Sequence, residues 1–214
     1  MCELAIKMLI AYLLGALLAS LILGRARGVD IRRLGSGNAG ATNALRTQGT
    51  AFGAAVFVLD LLKGVIAVRV LPRLDLPGVG FDAALGREWL MVACALAVVL
   101  GHVYPVWFGF RGGKGVATLL GAAAALDPWL LAPMLGCWIV VVLLTGYVGL
   151  ASILAGLALP AFVLLRRPDD VPLVVFSILV ALLVLYTHRG NVARMFRGCE
   201  HRAHRLWLFR SRAA

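Results

Sequence analysis

Long apolar stretches separated by short polar segments run from the start of the chain to about residue 187. A transmembrane helix needs about 20 apolar residues, and somewhat fewer suffice where neighbouring helices shelter it. Asp127-Pro128 and the turn at Gly146–Gly149 divide the longest stretch, because proline and paired glycines interrupt helices. The pattern therefore predicts an all-α membrane protein with about seven spans, some of them short. The predicted spans are 4–24, 51–71, 88–108, 116–126, 129–145, 149–165 and 171–187.

The composition supports this assignment. Of the 214 residues, 62% are apolar and only 14% are charged. A soluble domain of this size has too small a core for so many apolar side chains, so the composition excludes soluble, disordered and coiled-coil proteins. The first apolar run is too long for the core of a signal peptide and is followed by Arg25 and Arg27. It is predicted to be an uncleaved membrane anchor.

The basic residues predict the orientation in the membrane. With the N-terminus outside, fourteen Lys and Arg fall in the inner segments 25–50, 109–115, 146–148 and 188–214. The outer loops 72–87, 127–128 and 166–170 carry four. Cytoplasmic loops are enriched in Lys and Arg, so the C-terminus is predicted to be cytoplasmic. A five-span alternative, with 116–145 as one re-entrant unit, keeps the same inner loops.

One polytopic domain is predicted over residues 1–188, followed by a basic tail over 189–214. Arginines in the tail alternate with bulky apolar residues, which is typical of a helix lying on the inner membrane surface. The four cysteines lie far apart in the sequence and form no CxxC pair. They indicate neither a zinc site nor a disulfide framework.

The first inner loop is rich in glycine and short polar residues. Gly35, Gly37 and Gly40 match the spacing GxGxxG, but no strand precedes them, so a dinucleotide fold is excluded. Glycine lets backbone N–H groups approach an anion, and an arginine supplies a planar fork for phosphate. The alternative is an ordinary solvated loop. The candidate ligand-binding residues are Ser36, Asn38, Thr42, Asn43 and Arg46.

A second inner loop, Arg111-Gly112-Gly113-Lys114-Gly115, leads into a predicted helix. It lacks the spacing of a Walker A loop. It still combines glycine amides, a helix N-terminus and a lysine, which together favour anion binding. A positively charged turn that only fixes orientation is the alternative reading.

Further polar residues lie next to or within the spans. His188 and Asn191 follow the last span, and Ser152 follows the break near Gly146. Asp60 and Lys63 are intramembrane charges three residues apart, so they share a helix face and can pair. Several cations, glycine amides and one imidazole on one face favour a site for phosphate-bearing substrates. A transporter of a phosphorylated anion is the alternative from another class, although it would need a polar pathway near the midplane.

Three motifs resemble those of the PlsY family of bacterial membrane acyltransferases. They are Gly35-Ser36-Gly37-Asn38-Ala39-Gly40-Ala41-Thr42-Asn43 through Arg46, Gly112-Gly113-Lys114-Gly115-Val116-Ala117-Thr118, and His188-Arg189 with Asn191. Asp60-Leu61-Leu62-Lys63-Gly64 and Gly101-His102 with Pro105 also look like this family. Where the family usually reads Arg-Tyr-Val-Ser-Leu-x-Ser, this chain has Gly146 and Gly149 in place of the arginine and the first serine. Gly190 and Cys199 stand where an acid and a threonine are usual in the third motif, whereas Glu200 matches it.

The resemblance implies acyl transfer from acyl phosphate to the sn-1 hydroxyl of glycerol 3-phosphate, giving lysophosphatidic acid and phosphate. It implies no cofactor or metal, and a bacterial inner-membrane location. The implied partners are glycerol 3-phosphate, a long-chain acyl phosphate, membrane lipids and the enzyme that makes acyl phosphate; nucleic acid is not expected. The implied catalytic residues are Ser36, Arg46, Lys114, His188 and Asn191. The implied substrate-binding residues are Asn38, Thr42, Asn43, Gly112, Gly113, Gly115 and Ser152.

Overall fold

The computed structural model describes residues 2–77, 86–204 and 206–209, and every regular element in these ranges is a helix. The all-α prediction is therefore confirmed. The chain divides into two compact units, residues 1–127 and 128–214. The helices are α1 Cys2–Gly15, α2 Ala19–Ala26, α3 Ala41–Gln48, α4 Thr50–Arg69, α5 Arg87–Val103, α6 Val116–Leu126, α7 Leu131–Thr145, α8 Val148–Arg166, α9 Val171–Thr187 and α10 Arg189–Phe196.

Within the described residues, four helical stretches are long and apolar enough to cross a bilayer: Thr50–Arg73, Arg87–Phe108, Pro128–Thr145 and Val148–Arg166. The number rises to six if two bent pairs each count as one span, α1 with α2 at 42° and α9 with α10 at 48°. The helix α6 is apolar but shorter, and it matches the short helix predicted over 116–126. A polytopic helical membrane protein is thus confirmed, while seven crossings and the orientation stay predictions.

Helices in the first unit pack closely through glycine. The helix α4 lies against α6, and α1 lies against α5. A Cβ on Gly64 of α4 would overlap the backbone oxygen of Thr118, and one on Gly121 of α6 would overlap that of Leu61. Small residues at such crossings let membrane helices approach to backbone contact, where dispersion forces stabilise the pair. This contact fixes α6, whose N-terminus carries the second glycine-rich loop.

The first span is not the single helix predicted over 4–24. It breaks at residues 16–18, between α1 and α2. The amino group of Lys63 donates to the carbonyl oxygens of Gly15 at 2.8 Å and Leu17 at 3.2 Å. Carbonyls released by a break need a partner within a bilayer, and Lys63 supplies one. Because that partner lies 46 to 48 residues away in the sequence, the local apolar pattern does not reveal the break.

The predicted pairing of Asp60 with Lys63 is confirmed. Lys63 Nζ lies 2.9 Å from Asp60 Oδ1, and both side chains are buried. One ammonium group therefore neutralises a buried carboxylate and holds the broken first span.

In the second unit α8 packs between α7 and α9. Asp170 caps α9, since its carboxylate accepts from the N–H of Leu173 at 3.1 Å. Beyond Phe196, where α10 ends, the described tail residues 197–204 and 206–209 do not form the predicted helix, whereas the location of the tail on the membrane surface stays a prediction. Ala203 N–H donates to Gly146 O at 2.7 Å, and Trp207 Nε1 donates to Leu144 O at 3.1 Å. Residue 1, residues 78–85 of the predicted outer loop 72–87, and residues 205 and 210–214 lie outside the described residues.

Replacing Lys63 with methionine is expected to destabilise the protein by about 3–5 kcal/mol, because it leaves Asp60 buried without its cation. Thermal unfolding in detergent micelles measures the change. The double variant D60N/K63M should regain part of the loss, since no charge then remains. Leu62→Met, at an exposed position of the same helix, is the control. Equal unfolding temperatures for K63M and the control would contradict this account.

Candidate active site

The first glycine-rich loop is organised around the side chain of Asn43. Its amide nitrogen donates to the carbonyl oxygens of Ile31 at 3.1 Å, Leu34 at 3.0 Å and Asn38 at 3.0 Å. Its amide oxygen accepts from the N–H of Ser36 at 2.9 Å. Asn43 is buried, so these bonds replace those that the loop backbone would make with water. Asn43 was expected to bind substrate; the structure shows it holding the loop.

Three polar candidates of this loop face outward. Ser36, Thr42 and Arg46 are exposed, whereas Asn43 and Ala44 of the same helix are buried. Thr42 and Arg46 are four residues apart on α3 and therefore share one helix face. Asn38 is half-buried, and its side-chain oxygen accepts from Gly40 N–H at 2.9 Å, so it shapes the turn before α3.

Arg32 ties the first loop to the segment before the second. It forms a two-pronged contact with Asp30, Nε to Oδ1 at 3.0 Å and Nη2 to Oδ2 at 2.9 Å. Its Nη1 also donates to the carbonyl oxygen of Phe108 at 3.0 Å. The hydrogen bond from Arg32 lowers the pKa of Asp30 to about 2. Asp30 therefore stays charged at neutral pH, and the pair's stabilising effect is lost only as the pH falls below about 4 towards 2.

The second loop uses two of its glycine amides internally. Gly112 N–H donates to Val103 O at 3.2 Å, and Gly113 N–H donates to His102 O at 3.1 Å. These two amides were expected to face an anion, but they instead fold the loop back on the end of α5. Gly115, at φ +80°, begins α6 in a conformation that favours glycine. Anion binding by Lys114 and by the first turn of α6 stays a prediction.

A polar cluster lies beneath the second loop. His102 Nδ1 lies 3.2 Å from Thr118 Oγ1 and 3.6 Å from Asp60 Oδ1, and all three side chains are buried. The sequence singled out His102 only as a motif neighbour. Its place between α4, α5 and α6 could not be inferred from spacing.

In the second unit, backbone contacts orient His188. The residue ends α9, and its Nδ1 lies 2.8 Å from the carbonyl oxygen of Val184. A carbonyl only accepts, so Nδ1 carries the proton, and in the neutral ring Nε2 is the acceptor nitrogen. The fold thus selects the tautomer that a hydrogen-bond acceptor or base at Nε2 requires.

Asn191 lies one turn further, in α10. Its amide nitrogen donates to Glu200 Oε1 at 2.7 Å, while Arg194 Nε donates to Glu200 Oε2 at 2.7 Å. The amide nitrogen of Asn191 therefore points towards Glu200, and its amide oxygen points away from Glu200. Sequence analysis left Glu200 outside the site, although its match to the third motif was the available signal.

The two glycine departures have a packing reason. A Cβ on Gly149 would overlap the side chain of Asn191. Gly146, at φ +74°, ends α7, and its Cα faces Arg202 and Trp207 of the tail. Ser152 donates to Val148 O at 3.0 Å within α8 and is nearly buried. Glycine at 149 thus gives Asn191 the space that a serine would occupy.

Comparison with known proteins assigns the chain to a family. The family model described as "Glycerol-3-phosphate acyltransferase" matches residues 5–198. The chain belongs to the glycerol-3-phosphate acyltransferase family. A relative of that name from Aquifex aeolicus is 40% identical over 192 residues, which is 90% of this chain and 95% of the relative. One from Geobacter sulfurreducens is 42% identical over 195 residues, covering 90% and 94%.

Solved structures give the same assignment. Two crystal structures of PlsY, an integral membrane glycerol 3-phosphate acyltransferase, match with a TM-score of 0.79 and 38% identity. The match covers 93% of this chain and 94% of theirs. One is the glycerol 3-phosphate form and the other the lysophosphatidic acid form. The resemblance to PlsY is confirmed, and the transporter alternative is set aside.

Asn43→Ala is expected to loosen the first loop, because four backbone groups lose their partner. Limited trypsin digestion in detergent should cleave after the exposed Arg33 at least about tenfold faster, with a parallel loss of acyltransferase activity. Gln48→Ala, near the end of the same helix, is the control. Unchanged cleavage at Arg33 in N43A would show that Asn43 does not hold the loop.

Proposed function

We propose that this acyltransferase uses acyl phosphate as the donor and acylates the sn-1 hydroxyl of glycerol 3-phosphate. The products are 1-acyl-sn-glycerol 3-phosphate (lysophosphatidic acid) and inorganic phosphate, in the first step of phospholipid biosynthesis. The observation that carries the proposal is the match over 93% of the chain to PlsY structures named for glycerol 3-phosphate and lysophosphatidic acid. These two compounds are the acceptor and the product of the proposed reaction.

The first unit is proposed to bind phosphate groups. Arg46 and Thr42 are exposed on the same face of α3, and Ser36 is exposed in the loop before this helix. Lys114 precedes the N-terminus of α6, where unpaired N–H groups and the helix dipole favour an anion. Arg46 and Lys114 would neutralise the phosphates, with Ser36 and Thr42 as hydrogen-bond donors. Gly112, Gly113 and Gly115 contribute by shaping the loop around Lys114.

The second unit is proposed to orient the acceptor alcohol. The amide nitrogen of Asn191 donates to Glu200, which orients the amide, and the amide oxygen is proposed to accept from the substrate hydroxyl. His188 has the tautomer in which Nε2 accepts a hydrogen bond. Ser152 has a supporting role, since its hydroxyl bonds within its own helix.

The chemistry needs no protein nucleophile. The acceptor hydroxyl oxygen attacks the acyl carbon, an ester C–O bond forms, and the C–O bond to phosphate breaks. Acyl phosphate is a mixed anhydride whose phosphate departs readily. The departing phosphate takes the hydroxyl proton, and His188 orients the hydroxyl. Arg46 and Lys114 stabilise the charge that develops on the leaving group.

The location and partners follow from the same proposal. The basic loops would face the cytoplasm of a bacterium, where glycerol 3-phosphate is soluble and where the enzyme making acyl phosphate would act. The acyl chain would enter from the membrane lipids. The arginines of the tail would contact anionic lipid headgroups rather than nucleic acid.

The purified protein in lipid is expected to convert palmitoyl phosphate and radiolabelled glycerol 3-phosphate to labelled lysophosphatidic acid. Palmitoyl-CoA at the same concentration should give no product above background. The measurement is thin-layer separation of the labelled lipid, with Arg46→Ala as the matched inactive control, expected to lose roughly 10²–10³-fold in kcat/KM. Product from palmitoyl-CoA alone would contradict the donor assignment.

His188→Gln is expected to keep a near-normal kcat, because the amide can still hydrogen-bond the hydroxyl although it cannot act as a base, and to raise KM for glycerol 3-phosphate by about tenfold, because the amide differs from the imidazole in shape and reach. Steady-state kinetics against each substrate measures the change. A base role instead predicts a kcat lower by about 10²–10⁴-fold at unchanged KM, and this result would overturn the assignment of the proton to the departing phosphate.

A further inference from the structure

The imidazole of His102 lies against the second glycine-rich loop. A Cβ on Gly113 would overlap His102 Nε2, so the ring and the glycine are in direct contact. The carbonyl oxygen of the same residue accepts from Gly113 N–H at 3.1 Å. Backbone and side chain of one residue therefore both fix the position next to Lys114.

The ring itself is held from the other side. His102 Nδ1 lies 3.2 Å from Thr118 Oγ1 on α6 and 3.6 Å from Asp60 Oδ1 on α4. Asp60 is in turn paired with Lys63, whose amino group holds the break between α1 and α2. These side chains are nearly inaccessible; His102 is 2% exposed and Thr118 is 0% exposed. The orientation of the ring is thus set by three helices.

Burying ionisable groups within a membrane protein costs free energy. This cluster lies beneath the loop that carries Lys114, a proposed phosphate-binding residue. An apolar side chain at position 102 could fill the same space without that cost. A polar ring bonded through Nδ1 has a fixed rotation, and this rotation places its Nε2 edge under Gly113. The cost is explained if the ring's exact placement matters to the loop.

We propose that His102 is a positioning residue for phosphate binding. Its imidazole is oriented by Asp60 and Thr118 and packs directly against Gly113. This contact sets the position of Lys114 and of the first turn of α6. The inference rests on the proposed function in that this loop binds a phosphate-bearing substrate. It concerns the position of Lys114, and therefore both the affinity for the phosphate group and the stabilisation of the leaving group.

A double-mutant cycle between His102 and Gly113 tests this contact. Gly113→Ala places a methyl group on the ring and is expected to raise KM for one of the two phosphate-bearing substrates by about tenfold or more, since weakening one hydrogen bond to a charged group costs about that much affinity. His102→Ala should raise the same KM by a similar factor. In G113A/H102A the methyl group has space, so KM should lie within about twofold of H102A alone. The value of kcat should follow the same pattern, because Lys114 also stabilises the charge on the leaving group.

Gly112→Ala is the matched control. A Cβ at Gly112 would overlap the backbone oxygen of His102 and the ring of Pro105, not the imidazole. Removing the imidazole therefore does not remove the steric overlap at position 112. The effects of G112A and H102A on KM should accordingly multiply. Thermal unfolding of each variant in detergent confirms folding. His102→Asn, which keeps a polar nitrogen at the Nδ1 position but lacks the Nε2 edge, repeats the cycle should H102A be unstable.

The inference is overturned if the effects of G113A and H102A on KM multiply. It is also overturned if H102A cancels the effect of G112A on KM as fully as it cancels that of G113A. Wild-type protein in the same assay tests the proposed function separately. A wild type that is active only with another acyl donor would remove the acyl-phosphate proposal, while the cycle would still be measured in KM for glycerol 3-phosphate.

Discussion

The ammonium group of Lys63 is the interaction on which the first unit depends. It lies 2.9 Å from a buried carboxylate and donates to two carbonyl oxygens of a broken helix. Within a bilayer no water can take the place of either partner, so a charge and a helix break that would each be unfavourable alone are stable together. Asp60 also lies 3.6 Å from Nδ1 of His102. The ring of His102 contacts Gly113 in the loop before α6. One buried cation thus connects the first span with the glycine-rich loop before α6.

Each polar residue of the first glycine-rich loop either bonds to the loop backbone or is exposed, and the second loop uses two of its amides internally. Asn43, Asn38 and the amides of Gly112 and Gly113 satisfy backbone groups within the loops. Ser36, Thr42 and Arg46 are exposed. A loop that must bring cations to phosphate has to be rigid before the ligand arrives, because ordering it on binding would cost affinity. Residues grouped by motif in the sequence therefore have different roles in the structure.

Much of this architecture could be predicted from the sequence because apolar run length and proline position are local signals. The helices α6, α8 and α9 agree with their predicted bounds to within a residue. The break at residues 16–18 and the position of His102 could not be predicted, since both depend on partners far away in the sequence. The tail was predicted as a surface helix from its alternating arginines and apolar residues. It instead bonds to the α7–α8 turn, where Gly146 leaves room that a larger residue would fill.

We propose that acyl transfer takes place on the cytoplasmic side, where the first glycine-rich loop would lie. Single cysteines at the exposed positions Leu34 and Leu74, in a variant whose four native cysteines are alanine, test this directly with a membrane-impermeant maleimide. We expect Leu34→Cys to be labelled in inside-out vesicles, less so with glycerol 3-phosphate present, and Leu74→Cys to be labelled only in right-side-out vesicles. Labelling of Leu34→Cys from the outside, or labelling unaffected by glycerol 3-phosphate, would contradict it.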